Sequence, residues 1–153
     1  MVVKTKCFGE IDITEEKIIS FEKGLFGFEE YKDYTILYDT EKEGKERISW
    51  LQSIEEPALA FPMLNPLLVD TDYKPSVAND SLAFVEPLTE ENIAMFLIIT
   101  VPGDIKKMTA NLKAPIIINS ETRKAVQAIA DNAEYMVKKE IYHLLAARGE
   151  QAC

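Results

Sequence analysis

The hydrophobic positions of this chain fall into short runs between turn residues, and that pattern predicts a β-protein. Residues 34–38 are rich in β-branched and aromatic side chains, which favour strands. Successive residues of 48–54 would point to opposite faces of a strand, and each face would carry some apolar side chains. Residues 92–101 form a continuous apolar run that stops at Pro102-Gly103. Such a run predicts a central strand that is buried on both faces.

Further strands are expected on both sides of these segments. A first hairpin is predicted around Gly9, and a polar turn around Gly44. Pro62 removes a donor from any strand ladder that contains it, which predicts an edge or a bulge there. The other expected strands are residues 57–64, 65–70, 82–85, 109–115 and 116–119.

The pattern of the C-terminal third does not distinguish clearly between strand and helix. Residues 124–131 fit either a strand or a helix, whereas apolar positions from Tyr135 onward include the spacing of an amphipathic helix. Closely spaced strands with turns between them favour a barrel or sandwich over βαβ units. We therefore expect an all-β fold: a single antiparallel β-barrel-like domain with few or short helices, which leaves room for one C-terminal helix.

The charge balance limits the class of partner. The chain of 153 residues has 17 basic and 26 acidic residues, a formal net charge of −9. Phosphate contacts need Lys and Arg, so direct binding to nucleic acid is not expected. An acidic surface suits solubility and also steering toward a basic partner. No apolar stretch is long enough for a membrane-spanning helix, and a signal-peptide core is absent, which predicts a cytoplasmic protein with no membrane partner.

The sequence offers few residues for chemistry. His143 is the only histidine, and Cys7 and Cys153 lack the spacing of a zinc site. Asp70 and Asp72 have a spacing that suits a hard cation, but the glycine and bidentate glutamate of a calcium loop are missing. We expect no catalytic residue, no metal and no cofactor.

One stretch, residues 108–127, combines carboxamides with basic residues and permits two interpretations. In the first, Pro115 breaks a strand and residues 119–122 form a turn held by side-chain bonds to the backbone. In the second, Gln52, Asn111 and Gln127 converge in a pocket, which would favour a small-ligand-binding β-barrel or an uncharacterised enzyme.

The same stretch carries a resemblance. "TANLKAPIIIN" followed by "RKAVQ" resembles the signature of the FliW family of flagellar assembly factors, and "WLQSIEEPALAFPMLNP" and "DYKPSV" agree with it in order. The resemblance covers residues 3–135. Two departures stand out: Phe26 replaces the proline of the family's Gly-Leu-Pro-Gly-Phe loop, and Leu67 and Leu68 stand where aromatic residues often follow Asn-Pro.

The resemblance implies a non-enzymatic antiparallel β-barrel spanning residues 1–153, with a loose tail from about residue 146. It implies two protein partners. One is newly made flagellin, and the other is CsrA, a basic homodimeric regulator of translation. The family relieves CsrA repression of flagellin translation, and flagellin competes for it. We expect this protein to act as a monomer.

The partner-binding surface is expected around the Asn65-Pro66 break, where apolar anchors combine with acidic rim residues. In a second interpretation the apolar residues belong to the core and the acids only solubilise. The candidate residues are Phe61, Met63, Asn65, Leu67, Leu68, Asp70, Asp72 and Tyr73.

Overall fold

The computed structural model describes residues 1–38 and 48–145, in which β-strands are the main regular secondary structure. The predicted turn around Gly44 and the predicted loose tail from about residue 146 lie outside the described residues. The elements in the described part are β1 (Val2–Lys4), β2 (Glu10–Asp12), β3 (Ile19–Phe21), β4 (Asp33–Tyr38), β5 (Ser49–Ser53), β6 (Ala60–Leu64), β7 (Ile93–Thr100), β8 (Thr109–Ala110), β9 (Ile116–Asn119), β10 (Lys124–Gln127), β11 (Lys139–Glu140) and the helical turn α1 (Tyr142–Leu145).

Seven of these strands close into a barrel. The order is β7-β6-β5-β4-β3-β10-β9, and β9 pairs back onto β7. All pairings in the ring are antiparallel except that of β10 with β3, where Lys124 lies opposite Ser20 and Ala125 opposite Phe21. The predicted all-β barrel with few or short helices is confirmed, and the parallel pair is an addition to it. β1 and β2 form a separate two-stranded hairpin before the ring.

Strand β7 is the junction of the fold. Its apolar run predicts a central strand buried on both faces; the strand is central, but only Leu97 and Ile99 of it are fully buried. One of its edges pairs with β6. Its other edge is shared, because Ile93 to Phe96 pair with β9 while Ile99 and Thr100 pair with β8. Strand β8 in turn carries β11, so the sheet continues outside the ring from the second half of β7.

The two faces of the strands build two cores. Large side chains fill the barrel interior, and each fully buried one contributes about 1.5–3 kcal/mol relative to exposure. The outer core lies against β5, β6 and β7 and is covered by segments that follow β6 and β7. Members of the inner core are Ile19, Phe21, Leu25, Tyr34, Leu51, Met63, Ile116, Ile118 and Ala125. Members of the outer core include Trp50, Leu64, Tyr73, Leu97, Ile99, Met108, Leu112, Tyr135 and Ile141.

Two expected strands form 3-10 helices instead. Residues 65–70 were expected as a strand, but Pro66–Leu68 is a 3-10 helix that Asn65 caps and Pro66 begins. The strand expected at residues 82–85 lies in another 3-10 helix, Asn79–Val85. The segment from residue 135 onward was expected to be partly helical, and it does contain the helical turn Tyr142–Leu145, which follows β11 and its pairing with β8.

Pro62 lies in an interior strand rather than an edge strand. It pairs with Trp50 of β5, whereas β6 pairs with β7 only from Met63 onward. The β7 side of β6 therefore has no ladder at Pro62, and the missing N–H leaves no gap in the sheet.

Two buried tyrosines, Tyr34 in the inner core and Tyr73 in the outer core, differ in whether the side-chain hydroxyl has a hydrogen-bond partner. The Tyr34 side chain is 0% exposed, and among the described residues its hydroxyl has no hydrogen-bond partner. Burial is the largest cause that raises the pKa of Tyr34 to about 12. The Tyr73 hydroxyl instead donates to the Leu112 carbonyl oxygen at 2.7 Å.

We expect Tyr34→Phe to leave the free energy of unfolding unchanged or to raise it, because it removes a buried polar group without a partner. Tyr73→Phe is the matched control and should lower it by about 1 kcal/mol, because it leaves the Leu112 carbonyl unpaired. Urea unfolding at pH 7 measures both. A loss in Tyr34→Phe equal to that in Tyr73→Phe would contradict the assignment.

The same hydroxyl predicts an alkaline sensitivity. Tyr34 ionises more readily in the unfolded chain, near its ordinary pKa of 10, than in the folded protein. Because the unfolded chain ionises first, the folded protein loses no stability through Tyr34 below pH 10 and loses it progressively as the pH rises toward about 12. Between pH 8 and pH 11.5, the unfolding midpoint of Tyr34→Phe should fall less than that of the unmodified protein. Parallel curves for the two proteins would contradict this.

Candidate partner-binding surface

Residues 65–73 form a compact turn after β6, which we call the 65–73 turn. The Asn65 side-chain oxygen accepts from the Leu67 N–H at 2.9 Å and so caps the 3-10 helix. The Asp70 carboxylate accepts from the Asp72 N–H at 2.9 Å. Two polar side chains thus satisfy the backbone of the turn and define its shape.

The end of this turn is fixed to the outer core by Tyr73. Its ring packs on that of Tyr135, with 4.7 Å between the ring centroids. The Tyr135 hydroxyl accepts from the Lys74 N–H at 2.7 Å. Burial raises the pKa of Tyr73 above its ordinary value, and the neighbouring Tyr135 adds to this. Tyr135 was not a candidate from sequence, because nothing local connects residues 73 and 135.

The structure divides the eight candidate residues into exposed and supporting positions. Met63 is buried in the inner core and Tyr73 in the outer core, so neither presents its side chain to a partner in this conformation. Phe61 is half-buried, and its ring lies edge-on to Phe28 at 5.2 Å. Leu68 packs against the outer core. The remaining four, all in the turn, are Asn65, Leu67, Asp70 and Asp72.

Leu67 is the apolar side chain that the turn exposes, with 55% of its surface accessible. Asp72 is exposed beside it in sequence, and Asp70 is half-buried. An exposed leucine with acidic neighbours, held on a hydrogen-bonded turn, is suited to contact an apolar and basic partner surface.

The three carboxamides that would mark a ligand pocket bind backbone groups instead. The Gln52 amide donates to carbonyls of residues 53, 57 and 59, and its oxygen accepts from the Lys6 N–H. Asn111 accepts from the N–H groups of residues 113 and 114. Gln127 accepts from the Phe26 N–H. The Gln127 amide also donates to the Ala114 carbonyl oxygen at 3.5 Å, so Asn111 and Gln127 both bind residue 114, whereas Gln52 binds other segments. Each of the three carboxamides thus pairs with backbone groups, as the first interpretation of residues 108–127 predicts.

The acidic groups are largely unpaired. Within residues 1–38 and 48–145, one ion pair is found, between the Met1 amino group and the Asp12 carboxylate at 3.1 Å. The same residues contain no group of three or more His, Cys, Asp or Glu arranged to hold a metal ion. Among them there is also no helix with the length and apolar character needed to cross a membrane. In this described part of the chain, most acidic side chains thus face solvent without an ion-pair partner.

Comparison with known proteins gives consistent matches over almost the whole chain. The model of the FliW protein family matches residues 2–141. Flagellar assembly factor FliW of Lachnospira eligens is 50% identical over 146 residues, which cover 95% of this chain and 97% of that protein. The protein of the same name from Lachnoclostridium phytofermentans is 45% identical over 151 residues, covering 99% and 97%. A crystal structure of the flagellar assembly factor FliW superposes with a TM-score of 0.81 at 32% identity, covering 92% of this chain and 96% of that one.

The capping role of Asn65 can be tested by its substitution. We expect Asn65→Ala to lower the free energy of unfolding by about 0.5–2 kcal/mol, because the Leu67 N–H loses its acceptor. Asn65→Asp keeps an acceptor oxygen at the same place and should retain most of the stability. Chemical unfolding of the two variants measures the difference, and equal losses would exclude the cap as the cause.

Proposed function

Because this chain belongs to the FliW family of flagellar assembly factors, we propose that it binds flagellin in the cytoplasm and, when flagellin is scarce, binds and antagonises the translational repressor CsrA. Antagonism of CsrA allows flagellin translation to proceed. Flagellin that accumulates then occupies the protein and releases CsrA, so that repression returns. The protein acts by binding and catalyses no reaction in this cycle.

The observation that carries the proposed binding surface is the exposure of Leu67 on an internally hydrogen-bonded turn. The turn keeps its backbone polar groups paired through Asn65 and Asp70, so a partner meets a shape that is already formed. Such preorganisation reduces the ordering cost of association. Leu67 acts as the anchor and Asp72 as a rim charge, while Met63 and Tyr73 support them from the cores.

The charge of the chain supports the choice of CsrA as one partner. A net charge of −9 attracts a basic dimer over long range and raises the rate of encounter. Once bound, the same field disfavours the approach of RNA phosphates. RNA and this protein then weaken each other's binding to CsrA through a coupling free energy, and they need not occupy the same site.

We expect Leu67→Asp to weaken binding to flagellin or to CsrA at least tenfold, because the anchor is replaced by a charged group. Its melting temperature should stay close to that of the unmodified protein, since Leu67 is exposed. Ile105→Asp is the matched control: Ile105 is 42% exposed and lies on the separate 3-10 helix Ile105–Lys107. Calorimetric titration with each purified partner measures the effect. Unchanged affinity of Leu67→Asp for both partners would refute the placement.

The antagonism itself has a separate test. A coupling of about 1–3 kcal/mol corresponds to a weakening of CsrA–RNA binding by about 5–150-fold. We expect this weakening at low salt, and a smaller one as salt screens the acidic field. Fluorescence anisotropy of labelled RNA with CsrA, with and without this protein, measures it. Identical RNA affinity at low salt in both samples would contradict the proposal.

A further inference from the structure

A second exposed apolar feature lies at the opposite end of β6 from the 65–73 turn. Phe26 is 52% exposed at the tip of residues 24–29, which we call the aromatic loop. Phe28 of this loop contacts Phe61 near the start of β6, whereas the 65–73 turn follows the end of β6 at Leu64. The contact at Phe61 therefore lies four residues before the start of the 65–73 turn along the chain.

The aromatic loop is held in one conformation by its own backbone contacts. The Phe26 N–H donates to the Gln127 side-chain oxygen, and the Gly27 N–H donates to the Glu29 carboxylate, each at 2.9 Å. The bond from Gly27 is the main cause that lowers the pKa of Glu29. Gly24 has a φ of +66°, and a Cβ at this position would lie 2.8 Å from the Glu29 Cα. These hydrogen bonds and the close backbone contact at Gly24 thus hold the loop in a shape that exposes Phe26.

A cleft of about 330 Å³ opens beside Phe26. Its other walls are the 3-10 helix Asn79–Val85, which contributes Phe84, and the chain after β10, which contributes Ile129. The volume lies at the lower end of the about 300–1,000 Å³ of typical ligand pockets, and it suits one large side chain more than a cofactor. Ile129 is itself 46% exposed, so the apolar part of the cleft continues to the surface.

The polar part of the cleft carries an excess of negative charge. Glu22, Glu29 and Asp80 line it together with one basic residue, Lys23. Among the lining residues, three carboxylates against one ammonium favour a cationic ligand at the rim, while the apolar walls favour a hydrocarbon side chain. Two further cations act on lining residues: Lys32 on Glu29, and the Lys124 ammonium, which lies 5.1 Å from the centroid of the Phe84 ring.

The backbone beside the cleft favours a peptide ligand. Strand β3 pairs with β10 as far as Ala125 and not beyond it. The Ala128 N–H donates to the Pro115 carbonyl on the β9 side, so the alternation of the strand turns the N–H and C=O of Gln127 toward the side that β3 has left. An extended segment can pair with these groups, as in recognition by strand addition.

From these observations we infer that the cleft is a second docking site, which takes an extended segment of another protein with one large apolar side chain flanked by Lys or Arg. The apolar side chain lies between Phe26 and Ile129, and the basic side chains face the three carboxylates. This inference is independent of the partners proposed for the 65–73 turn, since no residue of that turn lines the cleft.

The test uses a defined probe: an acetylated and amidated heptapeptide with a central leucine, two serines beside it, a lysine next on each side and terminal glycines. Isotope-labelled full-length protein is titrated with it and followed by amide NMR shifts. We expect shifts at the amides of Phe26, Gln127 and Ile129. Affinity should fall at least fivefold when serine replaces the leucine of the probe, and when glutamate replaces its lysines.

Protein variants complete the test. Phe26→Ser and Glu22→Lys should each weaken binding of the probe at least fivefold. Ile105→Ser changes another exposed apolar side chain, outside the cleft, and should bind the probe as the unmodified protein does. Equal affinity of Phe26→Ser, or the absence of shifts at the three amides at millimolar probe, would overturn the inference. A change of oligomeric state in Phe26→Ser, measured by sedimentation, would also overturn it by assigning the cleft to a second copy of the chain.

Discussion

The pairing of β9 with the first half of β7 is the constraint on which the rest of the molecule depends. This pairing closes the ring and frees the second half of β7 to pair with β8. The residues of β7 therefore serve two cores, with Phe96 and Ile98 against the barrel interior and Leu97 and Ile99 in the outer core. A strand with such a position must be apolar on both faces. Its closure also sets where β8 and β11 extend beyond the barrel, and so where the outer core forms.

The sequence was informative where one local pattern decides the structure. Residues 34–38 and 92–101 became β4 and β7 because side-chain type and burial agree there. Prediction failed where a long-range partner or a single cap decides. The parallel pairing of Ser20 with Lys124 joins segments about a hundred residues apart, and no local signal encodes it. The apolar stretch after Asn65 reads as a strand, yet one hydrogen bond from the Leu67 N–H directs it into a 3-10 helix.

The candidate surface shows the same division. The sequence predicted a binding surface around Asn65-Pro66, and the candidate residues with exposed side chains all lie in the 65–73 turn. It did not separate anchors from supports, because the burial of Met63 and Tyr73 depends on elements that arrive from elsewhere in the fold. The carboxamides have an architectural role instead of a chemical one. Gln52, Asn111 and Asn119 each bind backbone groups of irregular segments, which replaces the regular ladder where the chain turns.

The shortness of β11 has a consequence for the protein as a solute. This strand is the free margin of the sheet outside the ring, and it consists of Lys139 and Glu140, both exposed. A long apolar margin would offer unpaired backbone groups to the same margin of another molecule and begin a fibrous aggregate. A strand of two charged residues offers few unpaired backbone groups to another molecule. At this margin of the sheet, the backbone therefore gives little opportunity for uncontrolled polymerisation, while Leu67 and Phe26 stay exposed elsewhere.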